Sequence, residues 1–401
     1  MKKKIHVIVA AAKWSGDRLK YRRHRLAEFL NRQQDTEEVF WLCPSPDFSD
    51  PGFDYLSGGI AQWALQDLLP YRPFRFCRFI DFFYRKKLSF FQFQLQHLIG
   101  HYRFFLWYTC PVFPLLAERF PWDRIIYDCS DLWTASISGD RSLANRLRRL
   151  TIARAQQRIV AHADTIFCTS DDLHRQIAES VGPEKATHIF TIENGVDYDL
   201  FQRRARAAQV LPDRFNGTIL GYVGGIKDKL DFELIRQAAR IKKDWLFLFV
   251  GPDRTGTGST FKRMLAEEDN VLWTGSVDPE EVPNYVNLLD IGIMPYKASP
   301  YNQAVFPLKL FEFLAAGKPA IGVNLPSTTK YAADGVYISL EGSDAETFIY
   351  ACSELEGLKG HADLVAVRKN LAKTKDWHTL FRQMLDRTER KKQNDRESAL
   401  Q

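Results

Sequence analysis

Apolar runs of strand length alternate along this chain with stretches in which apolar residues recur at helical spacing. Residues 5–12 read as a buried strand, and residues 20–31 as a helix with Leu26, Phe29 and Leu30 on one face. Further strands are predicted at 38–43, 125–128 and 165–169, with a basic helix at about 141–161 before the last of these. The pattern starts afresh near 218. Residues 218–225 run from a strand into a glycine turn, a helix follows from about 231, and strands recur at 245–251, 271–273, 291–294 and 320–323. The stretch between, about 195–217, is polar and Arg/Ala-rich. An amphipathic stretch at 361–390 carries Leu364, Val367, Leu371, Trp377, Leu380 and Leu385. The prediction is an α/β chain with two doubly wound, Rossmann-like parallel sheets. Its parts are a domain over 1–195, a linker over 196–217, a second domain over 218–360, a helix over 361–390 packing back across the domains, and a charged tail over 391–401. Two such domains facing across a cleft would line it with strand carboxyl ends, where loop amides and helix starts bind ligands.

Composition narrows the class. A length of 401 residues supports two or three cores, and 45% hydrophobic with 26% charged residues argues against disorder. No window approaches 18 consecutive apolar residues, so no spanning helix is expected. The basic start, Lys2–Lys4 before Ile5, reads as the lead into a first strand, since the apolar run stops at Lys13 without a cleavage pattern. The six cysteines are scattered without a CxxC pair, which predicts buried thiols in a reducing compartment. The nine histidines show no HExxH spacing, so no metal is expected. A net charge of +6 is too weak to indicate nucleic acid. That charge is local, however. Residues 71–107 hold 14 aromatics and seven Lys/Arg against one acid, Asp81. Cations among rings suit an anionic membrane surface, and Arg78, Arg85, Lys86 and Lys87 are the candidate patch.

The most informative segment runs from Phe306 to Ile321. Pro307 suits the first turn of a helix, Lys309 stands at its start as a partner for a diphosphate, and Glu312 lies one turn on at a reach suited to a ribose diol. Gly317 fits the helix C′ position and Pro319 prevents continuation. In the first half, Asp131 follows the strand at 125–128 and is placed to take a proton from an attacking hydroxyl. Asp128, still on the strand, suits a structural hydrogen bond. Arg22 and Arg23 are candidates for a phosphate or carboxylate contact, or else part of a solvated basic face. Lys227, after Gly224-Gly225, is a second candidate for a diphosphate or carboxylate. Asp197-Tyr198-Asp199 has a DxD spacing but reads as structural.

The segment Pro307–Ile321 resembles the nucleotide-sugar site of GT-B glycosyltransferases, the family-4-like group in particular. Ile192-Glu193-Asn194-Gly195-Val196-Asp197 with Phe201, Gly221–Gly225 and Ile293-Met294-Pro295-Tyr296 are similar to other segments of that group, in the same order. The second Glu that retaining members carry eight positions before Glu312 is Ala304 here. The layout is similar instead to the inverting, GumK-like xanthan glucuronosyltransferase type, and the segments Lys4–Ala10 and Lys20–Leu30 resemble teichuronic acid glycosyltransferases. That resemblance implies donor contacts from Gly225, Lys227, Leu308, Lys309, Leu310 and Glu312, with Tyr296 beside the uracil. It implies Asp131 as general base, within Cys129-Ser130-Asp131-Leu132. A donor-contacting Glu of that type falls at Ser276, so backbone groups around Gly275–Val277 would serve the base instead. The expected activity is inverting transfer of glucuronate from UDP-glucuronate, a co-substrate, to a lipid-linked glycan precursor in cell-wall or surface polysaccharide assembly. It needs no metal and no nucleic acid, at the cytoplasmic face of the cell membrane. Two alternatives stay open: a retaining transferase for another UDP-sugar such as UDP-N-acetylhexosamine, and a non-catalytic GT-B module that binds glycan or a partner protein.

Overall fold

The structure, a computed structural model, describes residues 2–17, 20–47, 52–69, 72–135, 142–203, 215–342 and 344–398. The described residues form two compact units. One contains those up to Glu193 and those from Leu380 onward; the other spans Asn194–Thr379.

The first unit is built on eight strands: β1 (Lys4–Val9), β2 (Thr36–Ser45), β3 (Asp54–Tyr55), β4 (Ala61–Gln66), β5 (Arg103–Tyr108), β6 (Arg124–Cys129), β7 (Thr165–Cys168) and β8 (Ile189–Thr191). Their order is β3-β4-β2-β1-β5-β6-β7-β8, parallel throughout except for the short β3–β4 pair. Strands covered on both faces read as near-continuous apolar runs, as Phe104–Tyr108 of β5 and Ile125–Tyr127 of β6 do. β5 pairs with β1 at the centre of the sheet, so Phe104, Phe105, Trp107 and Tyr108 are core. The last residues of the aromatic-rich stretch 71–107 therefore belong to the core and not to a surface. The remainder forms a turn at Arg72–Phe79, another at Asp81–Phe83 and the helix Arg85–Leu95.

The second unit carries β9 (Thr218–Val223), β10 (Trp245–Val250), β11 (Val271–Trp273), β12 (Ile291–Pro295), β13 (Ala320–Val323) and β14 (Tyr337–Leu340). The order β11-β10-β9-β12-β13-β14 is fully parallel and reverses between β9 and β12. Ligands of doubly wound sheets bind outside the strand carboxyl ends at such a reversal. The helix Lys309–Ala315 ends as its sequence predicts. Gly317 takes φ +77°, its N–H bonds the Leu314 carbonyl at 2.9 Å, and the Lys318 N–H bonds the Phe313 carbonyl at 2.9 Å.

Two stretches differ from expectation. The segment read as linker opens with a helix, Tyr198–Gln202, capped by Asp197, whose carboxylate accepts the Leu200 N–H at 3.3 Å. Residues 204–214 of that stretch lie outside the described residues. The single helix read at 361–390 is two, Ala362–Lys373 and Trp377–Ser398, and the second runs through most of the expected tail. No Gly or Pro follows Gly360, so nothing in the sequence stops it. From Leu380 this helix packs in the first unit, with Phe381 against Phe29 at 5.5 Å between ring centroids. All six cysteines are buried free thiols, and no helix among the described residues is long and apolar enough to cross a membrane.

Candidate active site

In the second unit the loop after β9 is zipped onto the end of β12. Leu230 bridges Tyr296, the Asp231 N–H bonds the Pro295 carbonyl at 2.7 Å, and the Lys297 N–H bonds the Lys229 carbonyl at 3.0 Å. Asn302, fully buried and held by the Ser299 cap of its own short helix, donates its amide to the carbonyls of Lys229 and Lys297. These bonds bring Lys227 and Lys229 to the β9–β12 reversal, where their charges act on Lys309. The Lys309 ammonium lies 5.2 Å from the Tyr222 ring centroid, and that of Lys229 lies 4.6 Å from the Tyr296 centroid. Burial pulls the Lys309 ammonium below the ordinary lysine range, Lys229 and Lys227 act in the same direction, and Tyr296 and Glu312 oppose. Three cations at one sheet reversal, one of them partly desolvated, form a site for a doubly or triply charged anion.

The predicted donor residues divide on placement. Lys227, Lys309 and Glu312 come together, and all three are partly buried. The glycine that gives Lys309 its room is Gly224 rather than Gly225. It takes φ +137°, and a Cβ there would overlap the Lys309 side chain. The Gly225 carbonyl instead accepts the Tyr222 hydroxyl at 3.2 Å. Leu310 is not a lining residue, because its side chain is wholly within the unit's core; Leu308, half-buried, precedes the helix. Tyr296 is 1% exposed with a lysine on its ring, so it supports the cations and has no open face for uracil. The Gly275 carbonyl, in the segment expected to meet the base, accepts the Gly251 N–H at 2.7 Å.

The N-G-V-D segment has a positioning role. The Asn194 amide donates to the Phe306 carbonyl at 2.7 Å and fixes the chain leading into Lys309. Lys229, Tyr222 and Asn302 were missed in the sequence. The alternation Lys227-Asp228-Lys229 after a double glycine was the available signal for the first, and Asn302 beside Ser299-Pro300 carried none.

In the first unit Asp131 follows β6 by two residues. The carbonyl of Ser130 accepts the Thr169 hydroxyl at 3.2 Å, and that of Asp131 accepts the Trp133 N–H at 3.0 Å. Asp131, Leu132 and Thr134 line a pocket of about 130 Å³, with Gln156 and Gln157 of the helix Leu143–His162, Gln176 of the helix Asp171–Glu179 and an apolar wall that includes Val160, Leu173 and Ile177. Polar groups set in a partly apolar wall suit a small polar ligand. Asp128 is buried and structural. Arg22 Nε reaches its two oxygens at 3.1 and 2.9 Å, while other Arg22 nitrogens meet the Glu193 carbonyl at 2.8 Å and the Met384 sulfur at 3.2 Å. Arg22 is 4% exposed, which corrects its assignment as a phosphate contact: its guanidinium serves the fold. Arg23 lies with its guanidinium 4.7 Å from the Tyr21 ring centroid, and Lys20 and Arg25 both pair with Glu28.

The candidate membrane patch also divides. Arg78 bonds Asp67 through Nε at 2.8 Å and through a second nitrogen, and Lys87 donates to the Gln66 carbonyl at 2.6 Å. Both hold the 72–95 region onto the sheet, which corrects their assignment to a free patch. Arg85 and Lys86 are exposed.

The profile of the family described as Glycosyl transferases group 1 matches residues 217–356. The Bacillus subtilis (strain 168) protein named as a teichuronic acid biosynthesis glycosyltransferase, TuaH, is 50% identical over 392 residues, covering 96% of this chain and 97% of that protein. Among solved structures, sucrose-phosphate synthase from Thermosynechococcus elongatus is similar at a TM-score of 0.71 and 18% identity, covering 96% of this chain and 98% of its own. Anabaena HepE, in complex with UDP-glucose, is similar at a TM-score of 0.65 and 14% identity, with the same coverage. Likeness at that level of identity concerns the fold.

Proposed function

Since the chain belongs to the group 1 glycosyltransferases of GT-B fold, we propose that it transfers glucuronate from UDP-glucuronate to a lipid-linked glycan precursor of a teichuronic-acid-like surface polysaccharide. It would work at the cytoplasmic face of the membrane. The observation that carries the donor part is the gathering of Lys227, Lys229 and Lys309 at the β9–β12 reversal. Support for a uridine nucleotide comes from the HepE complex with UDP-glucose, and support for the polysaccharide from the name of the Bacillus relative.

In this reading the three ammonium groups hold the diphosphate, and Glu312 accepts from the ribose diol. The acceptor hydroxyl attacks the anomeric carbon as Asp131 takes its proton. The bond from that carbon to the β-phosphate oxygen breaks, and UDP leaves with the electron pair, its charge met by the lysines. The reading includes no metal ion, because cations of the chain take the role a metal would have. Ala304, in place of a second glutamate, favours inversion over the retaining alternative.

Calorimetry with UDP, followed by a thermal-shift series of UDP-sugars, tests the proposal. Wild type should bind UDP, Lys309→Ala should bind it about 10- to 100-fold more weakly, and UDP-glucuronate should raise Tm most. Absence of UDP binding by the wild type overturns the donor reading. Preferential stabilisation by UDP-N-acetylhexosamine overturns the choice of sugar.

A further inference from the structure

The helix Leu143–His162 carries five arginines and no acid. Its second half is anchored through Ile152, Ala155, Ile159 and Val160, all buried. Its first half is not: every residue from Arg146 to Leu150 is exposed, with Leu147 at 59% and Leu150 at 51%. Leu147, Leu150, Arg154 and Arg158 follow the spacing i, i+3, i+7, i+11, so they form one stripe along the helix. At the foot of the stripe Arg158 bonds Glu118 through Nε at 2.9 Å and pairs with Asp81. The residue after Asp81 is Phe82, 83% exposed. The helix that follows, Arg85–Leu95, adds Lys86, Phe90 and Phe93 at i, i+4 and i+7, all exposed. The carboxylates beside this surface, Asp81 and Glu118, are both bonded to Arg158, and His162 lies 3.9 Å from Glu118.

We infer that this arm docks the protein on an anionic lipid bilayer, with Leu147, Leu150 and Phe82 entering the headgroup–acyl boundary and Arg146, Arg148, Arg149 and Arg154 meeting lipid phosphates. Aliphatic side chains among arginines fit a surface that is anionic outside and apolar just beneath. Leucines offer nothing to the stacked bases of a nucleic acid, and an acidic protein face would meet the arginines without burying the leucines. The docking surface differs from the one composition suggested. Two of the four cations expected at 78–87 hold the fold, whereas the arm's arginines came from a helix whose sequence showed only a basic bias. The inference rests on the membrane-facing part of the proposed function alone and is independent of the donor chemistry.

The test is flotation of the full chain with vesicles of equal parts phosphatidylglycerol and phosphatidylcholine, against vesicles of phosphatidylcholine alone. The wild type should float with the anionic vesicles and remain behind with the neutral ones. L147Q/L150Q and R146Q/R148Q/R149Q should each lower the bound fraction about tenfold, the arginine contribution fading with salt. Neither variant should change UDP affinity, so lost UDP binding in the wild type would overturn the donor reading and leave this one standing. These positions are solvent-exposed, and Tm measured for both variants identifies one that misfolds, in which case the other carries the test. Flotation by folded variants equal to wild type overturns the proposal. So does a wild type that ignores anionic vesicles, including one that is retained on RNA or on an acidic peptide instead.

Discussion

Two regions hold partly or fully buried cations in opposite ways. In the first unit Arg22 and Asp128 neutralise each other, with the remaining Arg22 donors met by a carbonyl and a sulfur. In the second, Lys227, Lys229 and Lys309 are gathered so that the first two raise the cost of charging Lys309. A buried charge needs a partner. Where the chain supplies it, the charge serves architecture. Where the chain gathers like charges at a sheet reversal, with Glu312 as the acid acting on Lys309, the excess of positive charge suits an anionic ligand. Asp128 and Asp131, three residues apart, also differ in place: one lies buried in the sheet against Arg22, and the other lines a pocket.

The widest separation should come from the two aspartates. Asp131→Asn is expected to lower kcat by about 10²–10⁴-fold with little change in Tm or UDP affinity; transfer at near wild-type rate removes it as the base. Arg22→Ala is expected to act on stability instead. It strands Asp128 in the core, and chemical denaturation should show a loss of about 3–5 kcal/mol. A smaller loss, with UDP binding impaired in the folded variant, would move Arg22 back to the ligand. Lys309→Ala should reverse that pattern, with stability unchanged or raised and UDP affinity down by about 10- to 100-fold.

The smallest effect is the pH dependence. The lowered pKa of Lys309 means that the unfolded chain binds more protons than the folded one between that value and the ordinary lysine value of 10.5. Its destabilising contribution is therefore fully present below the lowered pKa and fades as pH rises towards 10.5. UDP binding requires the ammonium form, so affinity should fall over the same interval, by up to about tenfold per pH unit. Affinity that stays flat until the ordinary lysine range, followed by calorimetry at several pH values, would remove Lys309 as the desolvated cation. Lys309→Arg should flatten the profile.

Most of the fold was legible because its signals are local. β1, β2, β6, β7 and the strands from β9 to β13 are apolar runs bounded by turn residues, and the end of the Lys309 helix is announced by Gly317 and Pro319. β5 was hidden because Arg103 and a cluster of rings look the same in a central strand as at a surface; only its pairing with β1 distinguishes them. β8 and β14 were not read in the sequence although they are no shorter than β11 and β13, because edge strands half-exposed along part of their length carry fewer apolar residues. Within the site, Lys309 and Glu312 stand in one motif and could be found. Lys229 was signalled only by its alternation with Lys227 across Asp228, and Gly225 and Leu310 were included because adjacency in sequence does not tell which neighbour turns inward.

By itself, then, the sequence determined the two α/β sheets, the donor-side motif and its helix cap, because these depend on residues within one or two turns of each other. The tertiary structure decided which cations are available. Arg22 meets its carboxylate 106 residues away, Arg158 reaches Asp81 across 77, and Lys229 joins Lys309 only because the loop after β9 is bonded to the end of β12. Electrostatic pairing acts through space at a few ångströms, and a one-dimensional pattern of charges contains no such distances.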